Sequence, residues 1–424
     1  MILTLFRRLL GATKETMLIV GSAVILLELA LYFLPGLIPL AILADFHPDL
    51  RAVIAERRHL PALSDTILLE RDDGGPPLRV YKPHAKIVYD FDDPGTVQAV
   101  QMDDTGFCNP PGEPLSRPEI EIITIGDSFT WCMTVRPEDT WTSELGRLTG
   151  ERVYNLGVND KGLYEELEIL KQFGLPKSPR VVIMNVYEGN DLIDAERYHT
   201  WREAVRVSGG TAPTSQPCSL GALCRPYRWL KEGPLAERSY ALNLAFGALR
   251  RGRDWLAASG TATGDGEGST EPNYRYRVVF GEESILFNPA NYDEARHAER
   301  LRRGDLSLDL FSEVLTEFVA LSRVHRFVPV IVYTPLASTA YATNVAFDDP
   351  RLAELIPWYS QTLRGYFAAR AQELGYRFFD LTPILQEAAE AGGASSLLYY
   401  PTNTHLTRDG HRVIAEAIFQ ALPR

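Results

Sequence analysis

Five short apolar runs, separated by stretches of helical periodicity, leave this chain few choices other than a parallel β-sheet. Residues 121–125, 153–156, 181–186, 328–333 and 376–379 read as strands. Residues 141–148, 163–172, 308–325, 359–374 and 412–421 read as helices between or after them. Strands buried on both faces show continuous rather than alternating apolar runs, and parallel neighbours need crossover connections, usually helical. The pattern therefore predicts the α/β class: a three-layer sandwich with a mostly parallel central sheet, in which groups following the strand C-terminal ends share one edge. A chain of 424 residues, 45% hydrophobic, can bury one large domain or a domain carrying an insertion. Its net charge of −12 argues against non-specific nucleic-acid binding, so no nucleic-acid partner is expected.

At that edge the sequence places chemistry. Gly126-Asp127-Ser128-Phe129 follows the run Ile122-Ile123-Thr124-Ile125, which presents a serine hydroxyl where a buried strand gives way to a turn. Gly-Asp-Ser is also ordinary turn chemistry, and an N-cap serine opening a helix has the same appearance. Three further segments change the balance. They are Asn155-Leu156-Gly157, then Glu188-Gly189-Asn190-Asp191 after Val181-Val182-Ile183-Met184, and Asn403-Thr404-His405-Leu406-Thr407 near the C-terminus.

In order and content these blocks resemble the SGNH hydrolases, the GDSL-type esterase superfamily. The resemblance covers residues 103–424, with an interruption, and the lead-in Asp103-Asp104-Thr105-Gly106-Phe107 is similar to extracytoplasmic members. It implies an SGNH/flavodoxin-like fold, Ser128 as nucleophile, His405 as base, and an oxyanion hole from the N–H groups of Ser128 and Gly157 with the Asn190 amide. The chemistry needs those types: serine is a poor nucleophile until a base takes its proton, and a neutral imidazole does so near pH 7. A donor aimed at the developing oxyanion is worth roughly 3 kcal/mol of barrier in other acyl-transfer enzymes. Singly, Gly157 also reads as a turn glycine and Asn190 as a helix N-cap.

One departure stands out. Relatives carry an Asp two or three residues before the histidine, and this chain has Asn403 and Thr402 there. The Asn403 amide is expected to accept from imidazole Nδ1–H but to stabilise imidazolium less than a carboxylate does. Asp409-Gly410 reads as a turn before a helix, and His411 as a helix-start residue with a structural role. No metal-ligand cluster and no cofactor motif is present in the sequence.

The N-terminus predicts location. Arg7, Arg8 and Lys14 precede an apolar run that continues past Pro35 and Pro39 to Ala44. Residues 1–16 are thus expected in the cytoplasm, 17–44 as a single transmembrane helix, and the remainder in the periplasm or outside the cell. Glu28 within the run is expected to find a membrane-protein partner, to reach the interface or to take up a proton. Cys218 and Cys224 bracket a short loop and suit a disulfide. Cys108 and Cys132 occupy positions where relatives carry other residues, and are expected either to bond to each other or to stay as buried thiols.

Residues 45–102 read as stalk and lead-in, and 103–424 as the catalytic domain. An insertion at about 196–304 includes a flexible loop at 259–271, rich in Gly, Ser and Thr. Rings at Trp201, Tyr227, Trp229, Tyr240 and Trp255 are expected to form a lid or to pack the insertion. The function expected is an extracytoplasmic serine esterase or O-acetyl-transferase-type hydrolase acting on acylated glycans. A lipid ester substrate, or an inactive SGNH-fold subunit of a membrane complex, is the alternative.

Overall fold

In the computed structural model the described residues are 19, 21–43, 46–58, 66–69, 78–88, 93–97, 99–112, 119–207, 230, 233–249 and 273–422. They divide into two compact units, one of residues 1–63 with 215–268, the other of 64–214 with 269–424.

In the larger unit two small antiparallel pairs come first: β1 (Thr66–Leu69) with β2 (Leu78–Tyr81), and β3 (Lys86–Val88) with β4 (Ala99–Gln101). The central sheet follows, built from β5 (Ile122–Ile125), β6 (Val153–Asn155) and β7 (Val181–Tyr187), and later β10 (Val328–Thr334) and β12 (Arg377–Asp380). Between β7 and β10 lies the hairpin of β8 (Tyr276–Phe280) and β9 (Glu283–Phe287), joined by β11 (Val345–Phe347) into a separate three-stranded sheet. The central order is β12-β10-β7-β5-β6, and every pairing is parallel. β5 and β7 are buried along their whole length, as their unbroken apolar runs predict.

Chain order reverses between β5 and β7. In doubly wound sheets that switch point opens a crevice beyond the strand C-terminal ends. Gly126-Asp127-Ser128 leaves β5 there, and Glu188-Gly189-Asn190 leaves β7 beside it.

Two boundaries differ instructively from the sequence reading. The last helix is Arg408–Ala421, because Thr407 accepts from the Gly410 N–H at 3.2 Å and caps it early. Asp409-Gly410 therefore lies in its first turn rather than before it. The helix expected at 163–172 is α-helical over Leu163–Ile169 and continues as a π turn over Leu170–Gly174.

The N-terminal reading is corrected. Among the described residues no helix is long and apolar enough to cross a membrane. The helix described over 21–33 ends before Pro35, which fixes φ and removes an N–H donor. Past it the chain breaks into short pieces, Pro35–Leu37, Leu40–Leu43 and Pro48–Arg57. Ile38, Leu43, Phe46, Leu50 and Ile54 bury against one another, with Leu31 and Tyr240. The sequence window counted residues beyond Pro35 as span, whereas the prolines turn them into a small core. On the 21–33 helix itself Ile25, Leu26, Leu29 and Phe33 are exposed.

The partner expected for Glu28 is likewise corrected, since the chain supplies it internally. The Glu28 carboxylate accepts from the N–H groups of Tyr240 (2.8 Å) and Ala241 (3.2 Å), and from the Ser239 hydroxyl. It thereby satisfies the orphan donors and positive end of the helix at 240–249. Neither an N-terminal membrane anchor nor a membrane partner at Glu28 is supported, and the periplasmic placement that rested on them falls too.

Candidate active site

The turn after β5 is built around close contacts. A Cβ at Gly126 would stand 2.1 Å from Thr130 Oγ1, so only glycine lets the chain fold back this tightly. Asp127 Oδ1 accepts from the Phe129 N–H at 2.9 Å, and the Asp127 carbonyl from Trp131 N–H at 2.9 Å. Turns rather than a helix follow Ser128, which excludes the N-cap reading.

This segment is pinned to the lead-in by a Cys108–Cys132 disulfide. The lead-in is itself locked: Asp103 accepts from the N–H groups of Thr105 (2.9 Å) and Phe107 (3.0 Å), and from the Tyr154 hydroxyl on β6. Asn109 brackets the backbone of Asn155 with bonds of 2.8 and 3.0 Å. These contacts give Asp103-Asp104-Thr105-Gly106-Phe107 a scaffolding role. Cys218 and Cys224 lie outside the described residues, as do the loop at 259–271 and Tyr227, Trp229 and Trp255.

His405 Nε2 lies 2.9 Å from Ser128 Oγ, and His405 Nδ1 lies 3.0 Å from the main-chain carbonyl oxygen of Asn403. A carbonyl has no proton to give, so Nδ1 carries the hydrogen and Nε2 offers its lone pair to the serine. The imidazole stacks on Phe129, with centroids 4.8 Å apart, and Phe129 stacks in turn on Tyr187. Burial pulls the imidazole down to about 4, against the opposing pull of the Asn403 carbonyl and the Asp93 charge, so it is neutral at pH 7. The expected Asn403 contact therefore differs in kind. Its side-chain Oδ1 accepts from the His405 backbone N–H at 3.0 Å, and the main chain holds Nδ1.

The expected oxyanion donors are not all brought together. Gly157 N–H is donated to Asn155 Oδ1 at 2.8 Å, and Gly157 does not line the pocket at Ser128. A Cβ there would meet Trp131 N at 2.8 Å, so Gly157 allows the β6 loop to approach the turn that carries Ser128. Asn190 does line the pocket, but its amide nitrogen donates to Asp194 Oδ2 at 3.2 Å. His411 is buried in the last helix. Its Nδ1 accepts from the Trp141 N–H at 3.2 Å, and burial holds it neutral, down to about 3.

The pocket encloses about 330 Å³. Ser128, Phe129, Tyr187 and Ile193 form one part of its lining, and Asn403, His405, Tyr292 and Glu294 another. Glu294 was not legible in the sequence, because the turn after β9 brings it in. Buried Asn288 accepts from Tyr292 N–H at 2.8 Å, and its own N–H donates to the Pro401 carbonyl at 2.8 Å, joining the hairpin to the histidine loop. Burial raises the Glu294 carboxyl to about 7, while a hydrogen bond from Thr404 opposes it. Glu294 Oε1, Asn403 Nδ2 and Asn190 Oδ1 are buried without a hydrogen-bond partner among the described residues.

Carboxyls also crowd beneath the site. Burial lifts Asp127 to about 6 and Asp194 to about 7, and Glu166 and Asp191 rise through burial and mutual repulsion. Glu188, raised to about 7 by burial, is structural: it accepts from Leu336 N–H (3.1 Å) and Thr339 hydroxyl (2.9 Å) on the loop after β10. Among the described residues, no group of three His, Cys, Asp or Glu side chains is placed to hold a metal.

No protein-family model and no curated protein matches the chain. Solved structures similar to it include a protein assigned to the lipolytic G-D-S-L family from Desulfitobacterium hafniense, 13% identical over 72% of this chain and 100% of that one, with TM-score 0.36. An acetyl xylan esterase is 13% identical over 72% and 100%, with TM-score 0.34. A catalytic mutant of an acetylxylan esterase from Geobacillus stearothermophilus is 12% identical over 71% and 93%, with TM-score 0.35. Likenesses this weak assign no activity; that has to come from the site.

Proposed function

We propose that the larger unit is an SGNH-type serine ester hydrolase. The observation that carries this reading is the 2.9 Å approach of Ser128 Oγ to the lone pair of a neutral His405 Nε2, at the switch point of the sheet. Ser128 Oγ attacks the ester carbon as its proton passes to Nε2, and His405 returns that proton to the departing alcohol. Water, or a second hydroxyl, then attacks the acyl-serine with His405 again taking the proton. The Ser128 N–H and a reoriented Asn190 amide would meet the oxyanion.

The substrate class favoured is a short acyl ester, such as acetyl, of a hydroxyl-rich alcohol such as a glycan. Two features support it. The pocket is of modest volume, and Glu294 and Asn403, each carrying an unpaired polar atom, stand in its lining beside the serine. A second reading, an SGNH fold with little or no turnover, is favoured by the engaged donors of Gly157 and Asn190.

Fluorophosphonate labelling of the intact protein, with Ser128→Ala as control, separates the two. Labelling at Ser128 with acetyl esters cleaved faster than octanoyl esters is the expected result. Absence of labelling in the folded protein would favour the inactive reading, and preference for octanoyl esters would favour a lipid substrate.

A further inference from the structure

The histidine loop lacks an acid at 402 and 403, yet a carboxylate is bound to it from elsewhere. Asp93, 4% exposed, accepts from the N–H of Thr402 at 2.7 Å through one oxygen and from the N–H of Asn403 at 3.0 Å through the other. Asn403 is the residue whose carbonyl receives His405 Nδ1–H. The turn carrying Asp93 is fixed in its own right. Thr96 Oγ1 donates to the Asp93 carbonyl at 2.8 Å, Val97 N–H to Thr134 carbonyl at 2.8 Å, and Tyr400 hydroxyl to Gly95 carbonyl at 3.2 Å.

We propose that Asp93 is the positioning acid of the Ser128–His405 pair, acting through the main chain of Asn403. A buried carboxylate is costly unless charge-assisted hydrogen bonds satisfy it, and here both oxygens are spent on successive N–H groups of one loop. The clamp fixes the N-terminal side of Asn403 while its carbonyl aims the imidazole. It also brings a carboxylate to bear on a ring that must become imidazolium during the reaction, the service an acid at 402 or 403 renders by direct contact. The other titratable groups around the imidazole are His411, which is neutral and buried, and, in the lining of the same pocket, Tyr187, Tyr292, Asp293 and Glu294.

The rate arm of the test rests on the ester-hydrolase reading; the titration arm does not. Acetyl-ester kinetics and fluorophosphonate inactivation are measured against pH for the parent, Asp93→Asn and Thr96→Val. The last loosens the same turn but keeps the carboxylate. His405 is titrated by NMR in all three. Asp93→Asn is expected to lower kcat and the inactivation rate roughly 10- to 100-fold, with KM within about twofold. Removing a negative charge disfavours imidazolium, so the His405 titration and the acidic limb both move to lower pH, by about 0.5 or more. Thr96→Val keeps the carboxylate, so it moves both by a smaller amount than Asp93→Asn does.

An unmoved His405 titration in Asp93→Asn overturns the proposal, as does an equal shift in Thr96→Val. If the parent shows neither turnover nor labelling, the hydrolase reading falls, and the titration alone decides whether Asp93 governs the histidine.

Discussion

The two halves of the Ser128–His405 pair are held by opposite means. Ser128 is fixed by its neighbours: Gly126 closes on Thr130, and Asp127 takes the N–H groups of Phe129 and Trp131. His405 sits in a loop held from far away. Asp93 binds it across 309 and 310 positions, and Thr134 donates to the Leu406 carbonyl across 272. A nucleophile that must stand at a strand end can be built locally, because the strand is already rigid. A base arriving from another loop has to be clamped by whatever packs against it.

The sharpest break in this comparison is at the reacting atoms. Ser128→Ala and His405→Ala should each lower ester turnover by on the order of 10⁴- to 10⁶-fold, and Ser128→Ala should erase fluorophosphonate labelling. Labelling that persists in Ser128→Ala would put the nucleophile elsewhere.

Gly126→Ala tests the local half. Its Cβ would fall 2.1 Å from Thr130 Oγ1, which predicts a loss of about 1–3 kcal/mol in urea denaturation. Thr130→Ala in the same chain should recover part of that loss, since the two changes share one contact. Additive losses would mean that the clash is relieved elsewhere.

The buried groups set a slope of stability against pH. Asp127, Asp194, Glu188 and Glu294 have folded values of about 6 to 7, above their unfolded ones, so the folded protein holds more protons and their contribution fades as pH rises through that range. His405 and His411, pulled down to about 4 and about 3, act oppositely and gain up to their unfolded value near 6.5. With Glu166 and Asp191 also raised and His297 also lowered, six carboxyls outweigh three imidazoles, so thermal midpoints should decline from pH 5 to pH 8. A rising midpoint would show that these carboxyls are ionised in the folded state.

The smallest effect belongs to Asn403→Asp. Because Oδ1 is turned to the His405 N–H, an aspartate in the same rotamer stays off Nδ1 but adds its charge, so the His405 titration should move to higher pH while turnover changes by less than about threefold. A large gain would mean that the side chain swings to the imidazole.

What could be read from the sequence follows the same division. The five strands were legible because burial on both faces writes an apolar run, and Ser128 and Asn190 were singled out because each follows such a run; His405, in the loop before the last helix, was singled out by the resemblance alone. Asp93 and Glu294 carry no local mark; their meaning lies in loops brought against them by the fold. The N-terminal run misled for a related reason. A hydropathy window adds up residues on both sides of Pro35 and Pro39, while the backbone cannot carry one helix through them. Gly157 was legible as a required glycine, but its N–H is spent on Asn155, one turn of backbone away.

Holding the imidazole by a peptide carbonyl has a consequence for how such chains are recognised. Every amino acid brings a carbonyl, so the identity of residue 403 is released from the task and can drift without disarming the base. A search that demands an acid shortly before the histidine would pass over this chain, although a carboxylate from position 93 is bound to the same loop.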